Sequence, residues 1–544
     1  MRIPVSIKKV SVIRMPTALL VATLLCATYC FGQGTASELV GTITDSSGAV
    51  VPRVDVTITS IETGITKTIK TDETGGYRFP TLTPGTYTLR VSAAGFKIQD
   101  VRPFKLYIDQ KARQDITLEV GAQSQTVEVR AEAVILGTEN ATQAQVIENK
   151  QMLDLPLDGR NFMQLATLSV GVTPIMNGMS TAATYWGGGG ADGTGAVALS
   201  VAGTREDDVS YLLDGIETRN SWYGAVGIRP SVEAIQEFKI ERTGSSAAYG
   251  FGATIISSAL KSGTNTLHGT AYDFVRNDAL DSRNFFDRGS PPPFRQNQFG
   301  ANAGGPVVKN KAFFFFNYEG FRQSRPRPWY DRVPTAEQKE GNFSATTTQL
   351  VNPFTGQDFT DNQIPSTMFS SAGLKALSFY PLPNGNYPGG LNYFAVRSTT
   401  NTWNQYNARA DYYSSHDQLY FSMTISNLTS VRPGLIDLGN LTFPLRNRNA
   451  SVGWVHTFSP SLLNDLRLGW SHTDSGEVRA HGYDSDWANP LGLKNPATSP
   501  GAYGVPSIGV SGYGNPGSGA SSNLIKGPVP ISVEKGMAYS PESH

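Results

Sequence analysis

Six histidines, three neighbouring aspartates and one glycine-rich loop are the residues here whose types could support chemistry. His268, His416, His456, His472, His481 and His544 show no H-E-x-x-H or comparable spacing, and a zinc site needs its ligands so spaced to close a tetrahedron. Asp207, Asp208 and Asp214 lack the D-x-D-x-D-G order that wraps carboxylate oxygens around calcium. Gly190–Gly195 (GADGTG) follows MSTAATYWGGG, whereas a phosphate-cradling loop follows a buried strand and opens a helix. It reads as an ordinary loop, and the aspartates read as structural. No G-x-S-x-G nucleophile elbow occurs. The chain offers no catalytic, metal or cofactor constellation and reads as a non-enzyme.

The elements that would position any site are β-strands. Seven candidates occupy the second half, at 266–276, 295–305, 311–321, 403–413, 416–427, 449–458 and 462–473. Leu419, Phe421, Met423 and Ile425 alternate with Gln418, Tyr420, Ser422 and Thr424, and Leu466, Leu468 and Trp470 alternate with Asp465, Arg467 and Gly469. Each run has about the 9–11 residues a tilted strand needs to cross a bilayer. Short and long connections alternate, as in an outer-membrane barrel.

Composition agrees. Hydrophobic residues make up 39% of the 544 and charged ones 17%, with 56 Gly and 32 Pro, which suits turn-rich β-structure. No apolar run reaches the roughly 20 residues of a spanning helix. Residues 1–32 read as a secretory signal peptide: Arg2, Lys8, Lys9 and Arg14 precede or flank the apolar stretch ALLVATLLCA, and Cys30 and Gly32 suit a cleavage site. Cleavage would remove both cysteines, Cys26 and Cys30, and with them any disulfide. It would also remove four of the 45 basic side chains, leaving 41 against 45 acidic. That balance argues against a nucleic-acid partner.

Between leader and barrel two further units are legible. Residues 37–119 carry strand-like VGTIT (40–44), VDVTIT (54–59), ITKTIK (65–70) and YTLRV (87–91), separated by turn signals such as Asp45-Ser46-Ser47-Gly48 and Pro84-Gly85, which predicts a small β-sandwich. Residues 125–262 mix short strands and helices, with helices predicted at 146–153 and 232–238 and strands at 197–203, 211–217 and 239–242. That texture predicts an α/β unit.

The stretch GTITDSSGAVVPRVDVTI, followed by TDETGGYRFPTLTPGTYTLRVSAAGF, resembles the carboxypeptidase-regulatory-like (transthyretin-like) domain. It supplies no zinc ligands, so the resemblance implies a spacer or adhesive module and no peptidase. LPLDGRNF (155–162), YLLDGIE (211–217), PSVEAIQEFKIE (230–241), SSAAYGFGATIIS (245–257) and LKSGTNTLHGTAYDF (260–274), taken in order, resemble the plug domain of TonB-dependent outer-membrane receptors of the Oar-like branch. Residues 294–322 resemble the first barrel strands of the same branch.

The resemblance implies a fold that is mainly β: signal peptide (1–32), small β-sandwich (37–119), α/β plug (125–262) and the N-terminal part of an antiparallel transmembrane β-barrel (263–544). It places the chain in the cell outer membrane, with the first module in the periplasm. Its implied partners are outer-membrane lipid, the inner-membrane TonB energy-coupling complex and a bulky solute, whether peptide, glycan or protein. The candidate coupling segment is Thr126, Val127, Glu128 and Val129, since an extended β-branched peptide can add a strand to a partner's sheet edge. The same residues also read as the plug's first strand. A rival reading is an outer-membrane-anchored adhesion or structural surface protein.

Phe313–Phe316, Tyr318, Tyr406, Tyr412, Trp454, Phe458 and Trp470 are expected in aromatic girdles at the membrane interfaces. The segment 322–402 reads as an exterior loop without a packed core, and 474–544 as a Gly/Pro/Ser-rich tail without a return strand. Plugged transporters close with about 22 strands, and closure satisfies edge groups in lipid. Seven strands ending in Pro541-Glu542-Ser543-His544 are therefore expected to be a fragment or a truncated gene product.

Overall fold

The structure, a computed structural model, describes residues 37–121, 126–129, 142–174, 199–205, 208–220, 225–243, 254–283, 285, 291, 293–459, 462–475, 478–480, 491–492, 507–516 and 536–543. The leader at 1–32, Gly190–Gly195, Asp207, His481 and His544 lie outside the described residues.

The first unit is the expected sandwich. β1 (Ser37–Asp45), β4 (Gly76–Leu82), β7 (Lys111–Arg113) and β8 (Ile116–Leu118) form one sheet, and β2 (Asp55–Ser60), β3 (Thr66–Lys70), β5 (Gly85–Ser92) and β6 (Ile98–Leu106) belong to the other. Period two decides what lies between them: Tyr87, Leu89 and Val91 of β5 are buried, while Arg90 faces solvent. They meet Leu39, Ile43 and Phe79 from the facing sheet. Asp45 accepts from the N–H groups of Ser47 and Ala49, and Asp72 from those of Thr74 and Gly76. Gly48 and Gly75 supply the left-handed turn residues, at φ 85° and 71°. Bonds from the Ser47 and Thr74 hydroxyls, reinforced by these amides, hold both carboxyls below the usual carboxylate range.

The second unit is a mixed sheet with short helices. It contains β10 (Gln143–Glu148), β13 (Val209–Leu213), β14 (Ile216–Glu217), β17 (Ile235–Thr243) and β18 (Thr254–Leu260), in the order β10-β17-β18-β13-β14. β11 (Val172–Pro174) pairs with β12 (Leu199–Val201), and β15 (Arg219–Asn220) with β16 (Ala225–Val226). Helices cover Asn149–Asp154 and Met163–Ala166. The helix expected at 232–238 is instead a single 3-10 turn, Val232–Ala234, running into β17. Both faces of β17 are buried, so polar and apolar residues do not sort by exposure and the run imitates a helical stripe.

The third unit is one antiparallel sheet. β19 (His268–Asn277), β20 (Arg295–Val308), β21 (Ala312–Asp331), β22 (Tyr393–Tyr413), β23 (Asp417–Arg432), β24 (Leu441–Ser459) and β25 (Leu462–Ser475) pair in sequence. All seven predicted strands are present. β26 (Val478–Arg479) adds to β24, and β27 (Gly536–Ser543) pairs with β25. That return strand corrects the expectation for 474–544. GMAYSPES alternates nothing, and backbone pairing needs no such pattern. Among the described residues β19 and β27 each border one strand, so the sheet is open.

Exposure along the strands is inverted relative to a soluble sheet. Leu419 and Phe421 are exposed, whereas Ser422 and Thr424 are buried, as in a wall with lipid outside and polar contacts within. The same parity corrects part of the girdle. Phe316, Tyr406, Tyr412, Phe458 and Trp470 face outward, but Phe313 and Phe315 are 1% and 2% exposed and point inward. Four consecutive residues of a strand cannot share one face.

β21 and β22 run 20 and 21 residues, beyond the predicted ends. Pro326 and Pro328 concealed the extension, but they lie where β20 has already ended, so a missing N–H leaves no bond unmade there. The remaining loop is folded too: Val333 and Tyr380 pack with Leu435 in a small core, against the expectation of an unpacked segment.

Candidate functional site: the seat of the plug

The second unit lies against the buried face of β21–β25, and polar side chains carry the contact. The hairpin β13–β14 turns through Asp214 and Gly215, whose φ values of 49° and 84° give the two left-handed residues of a type I′ turn. This turn drives Asp214 into the wall. One carboxylate oxygen accepts from the Leu260 N–H at 3.1 Å and from Arg409 Nη1 at 2.9 Å, and its carbonyl accepts from the Tyr420 hydroxyl at 2.9 Å. Arg409 also donates to Asp411 at 2.9 Å, and Asp411 accepts from the Ser262 hydroxyl at 2.6 Å. Asp214 and Asp411 are 2% and 4% exposed. Two carboxylates around one guanidinium are tolerable at such depth only because each is paired.

Further along, Asn317 Nδ2 donates to the Ser231 hydroxyl, Gln405 Nε2 to the Arg229 carbonyl and Asn447 Nδ2 to the Gly227 carbonyl, each at 2.7 Å. Gly469 leaves room for Ile216, since a Cβ there would lie 2.4 Å from it. At the other end Arg160 pairs with buried Glu233 and stands over the Phe274 ring at 4.3 Å. Asp214, expected from the sequence to be structural, is a seating contact between the second unit and the wall. Sequence reading missed Arg409, Asp411, Arg160 and Gln405. The available signal was a charged pair at i and i+2 inside a membrane strand, which puts both on the inward face.

Thr126–Val129 form β9, which pairs in parallel with β6 and lies at the rim of the module's second sheet. These residues thus extend the sandwich, and the sheet of the second unit begins with β10.

Module and plug meet at residues 107–110. Glu237 accepts from the Ile108 N–H, Lys239 Nζ donates to the Asp109 carbonyl at 2.9 Å, and Glu148 binds Lys105 at 2.8 Å and the Tyr107 hydroxyl at 2.9 Å. Burial pushes the Glu237 carboxyl up to about 7. Between pH 4.5 and 7 the unfolded chain releases this proton and the folded one keeps it, so stability falls as pH rises through that window. Glu237→Gln still accepts from Ile108 and removes the slope. The variant should melt above the parent at pH 8, by roughly 2–4 kcal/mol, and match it at pH 4. Equal melting at pH 8 would discount the buried acid.

His456 binds Asp417 at 2.7 Å and His472 binds Asp474 at 3.1 Å, His268 contacts the Thr266 carbonyl at 2.9 Å, and His416 sits in the β22–β23 turn. These four lie on or beside barrel strands and do not converge.

The family described as outer membrane beta barrel domain matches residues 259–534, and the carboxypeptidase regulatory-like domain family matches residues 38–119. The chain is similar to the TonB-dependent transporter Oar of Myxococcus xanthus, 25% identical over 351 residues; the match covers 61% of this chain and spans only 31% of the relative's length. Similar solved structures include the outer membrane transporter YddB of Escherichia coli, with TM-score 0.41, 12% identity and coverage of 62% of this chain and 40% of that one. A mutant ferric enterobactin receptor of Pseudomonas aeruginosa in complex with enterobactin gives TM-score 0.37, 10% identity, and 63% and 42% coverage.

Proposed function

This chain belongs to the outer membrane beta barrel domain family, and on that premise we propose that it acts as a plug-gated, TonB-dependent receptor for a bulky solute. The observation that carries the reading is the seating of a separate α/β sheet on the polar face of the barrel strands, through Asp214, Arg409 and Asp411. The adhesion alternative assigns no role to a separate domain seated on the wall through a buried, paired charge cluster. No step requires a reacting residue, and the chain works by binding and movement. The division into leader (1–32), module (37–119), plug (125–262) and barrel portion (263–544) belongs to this reading, with Thr126–Val129 at the head of the plug segment pairing back onto the module's sheet.

Energy enters through Thr126–Val129. Support comes from the place of β9 at a sheet rim, where a partner strand can pair with the backbone or take its place beside β6. Replacing Val127 and Val129 by proline removes two backbone donors. Binding to the purified periplasmic domain of a TonB protein should weaken about tenfold or more, roughly 1.4 kcal/mol. Undiminished binding would exclude this segment as the coupling site.

A further inference from the structure

We propose that the N-terminal β-module is a second gate, closing the inner wall of the barrel below the plug at the short-turn end. The proposal rests on the receptor reading above and adds a barrier that plug release alone does not remove.

The module is fastened to the barrel rim. Asn265 N–H donates to the Glu62 carbonyl at 2.9 Å and its side-chain amide to the Thr63 carbonyl at 2.5 Å, while its side-chain oxygen accepts from the Asn310 N–H at 2.9 Å. A module turn, the entry to β19 and the β20–β21 turn are thereby joined at one point. Beside this joint the module stands off the wall. A cleft of about 490 Å³ separates Lys67 and Pro80 from Val455 and Leu463. A cavity of about 60 Å³ shares Thr81, Gln418 and Val455 with it and reaches Asp214 and Arg409, the seat of the plug, and a third of about 20 Å³ lies under the module.

Thr81 and Gln418 line all three spaces, so their contact stands where the spaces adjoin. With its amide turned to suit both neighbours, Gln418 donates to the Thr81 carbonyl at 3.2 Å and accepts from Lys67 Nζ. Thr81 holds a φ of 55°, a left-handed conformation that a β-branched residue adopts only under strain. The cleft is open to solvent at its outer end, where the exposed turn residues Ser415 and His416 form its rim. Here a strained residue and one amide bridge stand between the open cleft and the cavity at the plug's seat.

The test is the access of a membrane-impermeant maleimide to Ala259→Cys, which lines only the inner cavity and is buried, in full-length chain with Cys26 and Cys30 replaced by serine. Asn265→Ala combined with Gln418→Ala should raise the labelling rate about tenfold, while a cysteine at exterior Phe354 labels as before. Thr81→Gly keeps the bridging carbonyl and relieves the strain, so it should label no faster than the parent. Equal rates for the double variant and the parent would overturn the gate. So would a rise accompanied by trypsin sensitivity of the module, since that marks unfolding. If the double variant fails to assemble, Gln418→Ala alone makes the same comparison. The assay contains no TonB protein, so its failure and a failure of the coupling segment are separately visible.

Discussion

Replacing Arg409 by methionine will loosen the plug from the barrel wall by about 3–5 kcal/mol, the usual consequence of removing one partner from a buried charge pair. Asp214 and Asp411 would remain almost fully buried with no cation between them. Methionine preserves much of the aliphatic stem, so the loss reports charge more than packing. The measurement is the urea midpoint at which the plug becomes cleavable by added protease. Combining Arg409→Met with Asp214→Asn and Asp411→Asn removes the stranded charges and should recover most of the midpoint. A single variant that resists protease like the parent would mean that the cluster does not seat the plug.

Gly41→Val will unfold the module at a lower temperature than any surface change in it. A Cβ at this position would lie 2.0 Å from the Gln114 carbonyl oxygen and 2.6 Å from the Tyr77 ring. The Tyr77 hydroxyl bonds that same carbonyl at 2.5 Å, so neither neighbour can move without breaking the link from β4 to the β7–β8 connection. Overpacking of this kind costs roughly 3 kcal/mol. Gly48→Ala is the contrasting case. Its φ of 85° is unfavourable for alanine, but nothing lies within 4 Å, and the cost should be about 1–2 kcal/mol. Calorimetry of the full chain separates the two, and equal shifts would refute the packing argument.

The barrel strands were legible because lipid and a polar interior impose opposite demands on alternate residues. Leu419 and Phe421 against Ser422 and Thr424 record that demand directly. Where a strand leaves the membrane the demand ends, so the outer parts of β21 and β22 carried no such pattern and their prolines read as loop. The strand expected at 239–242 is the C-terminal part of β17, but its start was hidden for the opposite reason. Both its faces are covered, one by Ile147 and Phe162 and the other by the module's 107–110 segment, so Glu237 and Lys239 are as buried as Phe238 and Ile240, while Val232, Ile235 and Phe238 fall at helical spacing. The candidate coupling residues could be nominated as extended from composition alone. That they pair with β6 of the module depends on a contact between segments about 28 residues apart.

The amino-acid pattern alone is enough for the seven membrane strands over most of their length, the alternation along β23, the β-sandwich, the mixed α/β texture of 125–262 and the family. These are local properties, because side-chain alternation and turn chemistry act over a few residues. Which charges share a guanidinium, which module strand β9 joins and where the module rests on the barrel emerge only in the folded chain. Arg409 and Asp214 are 195 positions apart, and nothing in either neighbourhood encodes the other. Such pairings follow from chain closure and burial, where an ion is stable only beside the partner that the whole fold brings to it.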